Sequence, residues 1–141
     1  MFGFFKKKNS ANNVENNVVS RAADDTALQS YKKQAQDEIS YLIEFMASHE
    51  KNDELFQYAV KTNFIEDGRS EHMWVQVNEF IDGKFIGRLA NEPNTIKSIK
   101  HGDVTQVNKE DVEDWILADH FTNTQVGGFS TQYLRADEGQ K

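Results

Sequence analysis

Residues 56–89 read FQYAVKTNFIEDGRSEHMWVQVNEFIDGKFIGRL, and this stretch decides the fold. Phe56, Tyr58, Val60, Thr62 and Phe64 alternate with Gln57, Ala59, Lys61 and Asn63. A period of two sends successive side chains to opposite faces, the pattern of a half-buried strand. Glu66-Asp67-Gly68-Arg69 supplies turn chemistry, and Met73, Val75 and Val77 then alternate in a second strand. Asp82-Gly83 is a strong two-residue hairpin signal, because Asp and Gly tolerate the positive φ that such turns demand. A third strand follows from Lys84 to Leu89. Three strands joined by tight turns predict an antiparallel meander. Gly87, inside the third strand, marks a bulge or a close approach of neighbouring backbone.

Upstream, Leu28, Tyr31, Ala35, Ile39, Leu42 and Met46 follow steps of three and four, which places one apolar stripe on a helix. Asp24 and Asp25 stand where an N-cap and first-turn acids belong, so the spacing predicts a helix over 24–48. Its stripe is expected to pack on the sheet. Downstream, Asn91-Glu92-Pro93-Asn94 breaks the strand pattern, and Ile96 and Ile99 fit a short helical turn. Val104–Val107 and Val112–Leu117 read as further strands, with Asn108 and Asp111 forming a local turn between them. Ser130 to Arg135 stays open between strand and helix. The expected fold is a single α+β domain over 24–141. Its long N-terminal helix packs on a small, strongly bent antiparallel sheet of five to six strands, drawn from the region 54–135 and bent toward a barrel.

The 141 residues carry 23 acids, 16 bases and no cysteine. Without Cys, disulfides, thiol catalysis, iron–sulfur clusters and cysteine–zinc sites are excluded. Charge is unevenly spread: residues 1–23 hold four bases and one acid, whereas residues 24–141 hold 12 bases and 22 acids. The first segment, rich in Asn and without an apolar stripe, reads as a disordered leader. Its start, Met1-Phe2-Gly3-Phe4-Phe5-Lys6-Lys7-Lys8, has the wrong order for a signal peptide, which needs a basic region followed by about 7–15 apolar residues. Phenylalanines beside lysines leave it only a weak contact with a membrane surface. No run of about 18 apolar residues occurs, so no spanning segment is expected and the expected localisation is cytoplasmic. An acidic body disfavours nucleic acid and points to a basic protein partner.

Candidate binding residues come from two motifs. If Met73 and Val75 face the core, His72 and Trp74 face the other way, and a Trp beside a His offers a platform for a ligand or partner. The competing expectation covers Trp74 with the long helix. Asn91 and Glu92 form either a polar rim beside Trp74 or a turn with Pro93. The candidates are therefore Glu71, His72, Trp74, Asn91 and Glu92. The alternative reading, a small enzyme or ligand-binding domain, uses Glu71, His72 and Trp74, with no catalytic residue assigned. His49, His72, His101 and His120 lack the i, i+4 spacing of a zinc-binding helix, so no metal is expected. No nucleophile elbow or phosphate-cradling glycine loop occurs, and no cofactor is expected. Trp115 is expected in the core with a partner for its indole N–H, and Asp114 in solvent.

Glu71-His72-Met73-Trp74-Val75, then Gly87-Arg88-Leu89-Ala90-Asn91-Glu92-Pro93, Gly102-Asp103, Asp114-Trp115 and Gly127-Gly128-Phe129 follow one another in the order of a known family. In them the chain resembles the YegJ-like bacterial domain, a family of unknown function. The resemblance covers roughly Phe56 to Leu134, and the preceding helix fits the family's layout. It implies no established enzymatic activity. Relatives often sit beside toxin or secretion genes, which implies an immunity or accessory role; some are exported, a feature this chain's start does not match. With the charge, the resemblance implies a non-enzymatic cytoplasmic protein-interaction module of immunity or inhibitor type.

Overall fold

The computed structural model describes residues 17–50 and 54–131, with side chains from residue 26 onward. The meander forms where the alternation places it. Strands β1 (Phe56–Glu66), β2 (Arg69–Ile81) and β3 (Lys84–Leu89) pair antiparallel in sequence order. Both connecting turns use a left-handed pair, Asp67-Gly68 at φ 52° and 76° and Asp82-Gly83 at 53° and 78°. That geometry matches the twist of the flanking strands, which is why Asp-Gly is favoured there. Gly87 packs directly against the backbone of Gln76 and Val77, where a Cβ would collide with the Gln76 carbonyl. The β2–β3 register shifts between Val77 and Glu79, a bulge opposite this glycine.

Strand β4 (Val104–Asn108) extends the meander, and the chain then returns to the far side of β1. There β5 (Asp114–Asp119) and β6 (Thr124–Gly127) complete a six-stranded sheet ordered β4-β3-β2-β1-β5-β6. The sheet is open, not closed into a barrel, and among the described residues β4 and β6 are its outermost strands. Residues 109–111 make a 3-10 turn between β4 and β5, and residues 129–131 are helical. Among the described residues the last strand ends at residue 127 and Ser130 and Thr131 are helical, while residues 132–135 lie outside the described residues.

Helix α1 (Asn17–Ser48) begins seven residues before the expected Asp24. Arg21, Ala22 and Ala23 favour helix, no Gly or Pro stops the chain, and Asp24-Asp25 resembles a cap without being one. The leader expected over 1–23 therefore overlaps the helix, and its remainder, residues 1–16, lies outside the described residues. Ala35, Ile39 and Leu42 of α1 are fully buried against Tyr58, Val60, Met73, Val75, Phe85, Trp115 and Leu117. Phe45 adds edge contacts to Phe56 and Tyr58. Trp115 Nε1 donates to the Ala35 carbonyl at 3.1 Å, tying helix to β5.

Residues 90–103 form a loop closed at its base: Leu89 N–H donates to Asp103 O and Gly102 N–H to Leu89 O. Ile96 and Ile99 reach the main core, but without the expected helical turn. The reason lies in where the loop's amides go. The N–H groups of Asn94, Thr95 and Ile96 donate to the Glu71 carboxylate, and those of Lys97 and Ser98 to Glu66. Five consecutive donors satisfied by side chains have no need of helical carbonyls.

Candidate functional site

The five candidate residues divide between two faces of the sheet. Glu71 lies on the helix side with Met73 and serves the 94–98 loop. His72 and Trp74 lie on the opposite face, as the alternation requires. Trp74 is 2% exposed, so it is no platform. Neither is it covered by α1: it packs with Ala59, Ile116, Ala118 and Ala90 on the side away from the helix. Alanines at 59 and 118 leave room for the indole to lie on the sheet.

Asn91 is buried and its Oδ1 accepts the Trp74 backbone N–H at 2.6 Å. Ala90 N–H also donates to Trp74 O, so the loop's first residues act as a strand extension beside β2. Glu92 is exposed on the loop. Glu71 and His72 therefore cannot act on one substrate, and the grouping Glu71–His72–Trp74 is not brought together.

A different set does converge at His72. Its Nδ1 lies 2.6 Å from Glu113 Oε1, a carboxylate whose side chain is 6% exposed. A carboxylate only accepts, so in this contact Nδ1 is the donor. Next to it Asp114, expected in solvent, is fully buried. Its two oxygens accept the N–H groups of Trp115, Phe129 and Ser130 and the Ser130 hydroxyl. Burial pushes the Asp114 carboxyl up, while Ser130, Phe129 and the Lys61 charge pull it back. Asp114 is thus a helix-start cap for 129–131, aided by positive φ at Gly127 and Gly128. Gly-Gly-x-Ser after an Asp is the sequence signal for it, legible only once β5 and β6 are paired. Among the described residues no group of three or more His, Asp or Glu side chains is placed to hold a metal ion.

Charge is sorted across the molecule. Residues 34–50 of the helix side carry Asp37, Glu38, Glu44 and Glu50, and residues 110–131 carry five more acids, with no Lys or Arg in either span. Residues 84–109, which hold β3, β4 and the long loop, carry Lys84, Arg88, Lys97, Lys100 and Lys109 against Glu92 and Asp103. Glu113 and Asp114 are buried, so the acids of the second span that reach solvent are Glu110, Asp111 and Asp119, while the β3–β4 stretch is basic. Among the described residues the exposed large apolar side chains are Phe121 at 81%, Ile65 at 73%, Val104 at 63%, Tyr41, Leu55, Ile81 and Val126. Leu55 O accepts the His120 N–H at 2.8 Å, which puts Leu55 beside the Phe121 turn. Asp119 Oδ1 holds that turn through Phe121 and Thr122 N–H, and these bonds, Thr122 foremost, draw its carboxyl below the ordinary range.

No described helix is long and apolar enough to cross a membrane. The chain is 30% identical over 103 residues to the uncharacterized protein YegJ of Escherichia coli K12, covering 73% of this chain and 65% of that protein. It is 33% identical over 81 residues to a putative ankyrin repeat protein of Neisseria meningitidis serogroup B, covering 54% of this chain and 31% of that one. No solved structure matches. Residues 25–141 match a family described as uncharacterized protein conserved in bacteria (DUF2314), and the chain belongs to that family.

Proposed function

We propose that the domain is a non-catalytic interaction module that binds a basic surface of another protein, in the manner of an immunity or inhibitor protein, in the cytoplasm. The observation that carries this reading is charge: residues 24–141 hold 22 acids against 12 bases, and Asp37, Glu38, Glu44 and Glu50, all exposed, fall in a span of the helix without Lys or Arg. Acids at a rim speed encounter and reject acidic competitors, while apolar side chains supply contact area. The neisserial relative supports it in a further way. That protein is named for ankyrin repeats, modules whose stacked surfaces bind partners, and a domain carried in such a chain fits an interaction role.

Affinity capture with the full chain from its native host, at low salt, tests the reading. A specific partner of basic charge, released as salt screens charges beyond about 8 Å, is the expected result. A variant with Glu38, Glu44 and Asp119 changed to Lys recovers much less of it. Recovery of no specific partner, or of one indifferent to these reversals, overturns the reading.

A further inference from the structure

We infer that strand β4 docks an extended acidic segment of a partner protein, which adds to the sheet as a further strand. The inference goes beyond the reading above, since it concerns the end of the sheet far from Asp119 and the opposite charge. Lys109 N–H donates to Gly83 O and Leu89 N–H to Asp103 O, so the odd-numbered residues of β4 are the ones bonded to β3. Val104 and Gln106 therefore turn both backbone groups outward, and Asn108 its N–H. Among the described residues no hydrogen bond reaches these groups. All three residues are exposed, Val104 at 63%. Edge strands are commonly guarded by a charge, a Pro or a bulge. Val104–Asn108 has no charged residue and no Pro, and its register with β3 is unbroken. It is a bare template for strand addition.

The register fixes which segment fits. Val107 and Phe85 lie in the core, so Val104, Gln106 and Asn108 share the other face with their β3 partners Arg88, Ile86 and Lys84. An added strand extends these three cross-strand rows. The Val104 row leads to Arg88 and the Asn108 row to Lys84, while the Gln106 row runs through Ile86 to Glu79. Arg88 Nη1 donates to Gly102 O at 3.0 Å, which keeps the guanidinium beside the start of β4. Acids opposite Val104 and Asn108 thus meet bases two strand spacings away, about 10 Å, a gap that two long side chains bridge. Opposite Gln106 an uncharged residue fits, because an acid there adds to the charge of Glu79. Asp111, past the end of β4, accepts the Asn108 amide at 3.2 Å, so the Arg88 row is the stronger of the two. The residues in between point to the core side with Thr105 and Val107 and are apolar. The segment therefore reads acid, apolar, neutral, apolar, acid.

The test uses the full chain and an N-acetylated, C-amidated heptapeptide, threonine-glutamate-valine-threonine-valine-glutamate-threonine, beside a control with lysine for both glutamates. The glutamate peptide should bind about tenfold or more tighter than the control and slow amide exchange at Val104, Gln106 and Asn108. Gln106→Pro removes an outward donor and leaves the β3 ladder whole, so it should weaken binding about tenfold and keep the unfolding midpoint. Arg88→Gln should bring the two affinities to within about threefold. Binding with unchanged exchange along β4, or indifferent to a folded Gln106→Pro chain, overturns the edge assignment. Exchange on the unaltered chain decides this even where the proline variant fails to fold. Equal binding of the lysine control, or no effect of Arg88→Gln, overturns the acidic partner. Binding of neither peptide overturns the inference, as does exchange along β4 that slows with protein concentration alone, the mark of a second copy on that strand.

Discussion

Asn91 shows how much one side chain holds. Its Oδ1 is the acceptor for the buried N–H of Trp74, so Asn91→Ala strands that donor in a dry place. A loss of about 1–3 kcal/mol, measured by urea unfolding, is expected. Glu66 offers a pH test. The Ser98 hydroxyl, then the Lys97 amide, hold its carboxyl below its ordinary value of 4.5. A lowered folded value means that the contribution is present above the ordinary value and lost as pH falls through the lowered one. The amide resonances of Lys97 and Ser98 should therefore shift together with a midpoint below 4.5, and Glu66→Gln should abolish the shift. Asp114 runs the other way: with its folded value raised, its share of stability falls as pH climbs from the ordinary value to the raised one. At this scale the sequence was only half legible. That His72 and Trp74 share a face followed from alternation. That Glu113 would meet His72, or that five amides would turn to Glu66 and Glu71, depends on segments distant in the chain and has no local signature.

The hairpins are the most legible elements, because Asp-Gly turn chemistry is complete within four residues. They also give a clean contrast among glycines. At Gly68 and Gly83 an added Cβ meets nothing within 4 Å, so only the positive φ opposes it. Gly68→Ala and Gly83→Ala should each cost about 1–2 kcal/mol in thermal or urea unfolding. Gly87→Ala inserts a methyl into the backbone of β2 and should cost far more, with loss of the β2–β3 pairing seen as early amide exchange in both strands. The helix was legible in its buried stripe and not at its start. Two aspartates in a row imitate a cap, and only the absence of a stop signal upstream argues for continuation. Trp74's cover escaped notice for a different reason: its alanine neighbours come from β1 and β5, which meet only by a long-range pairing.

For the whole molecule the formal charge of −7 is less informative than its division along the chain, with acids and no Lys or Arg over residues 34–50 and five bases over residues 84–109. Association with a basic partner should slow about tenfold or more as salt is raised, since steering is what screening removes first; stopped-flow mixing measures it. The strand order has a consequence for how the chain is made. Lys61 pairs with Asp114 and Phe56 with Asp119, so β1 receives its second neighbour only after β2, β3, β4 and the long loop have been laid down. At a synthesis rate of about 5–20 residues per second, the intervening stretch takes roughly 2–10 s to emerge. Throughout that interval the buried run Tyr58-Ala59-Val60 has one bare flank in a nascent chain. The finished domain has this strand at the centre of the sheet, whereas the half-made one carries it as an edge. The species at risk of aggregating is thus the chain on the ribosome, and the arrival of β5 is the event that ends the risk.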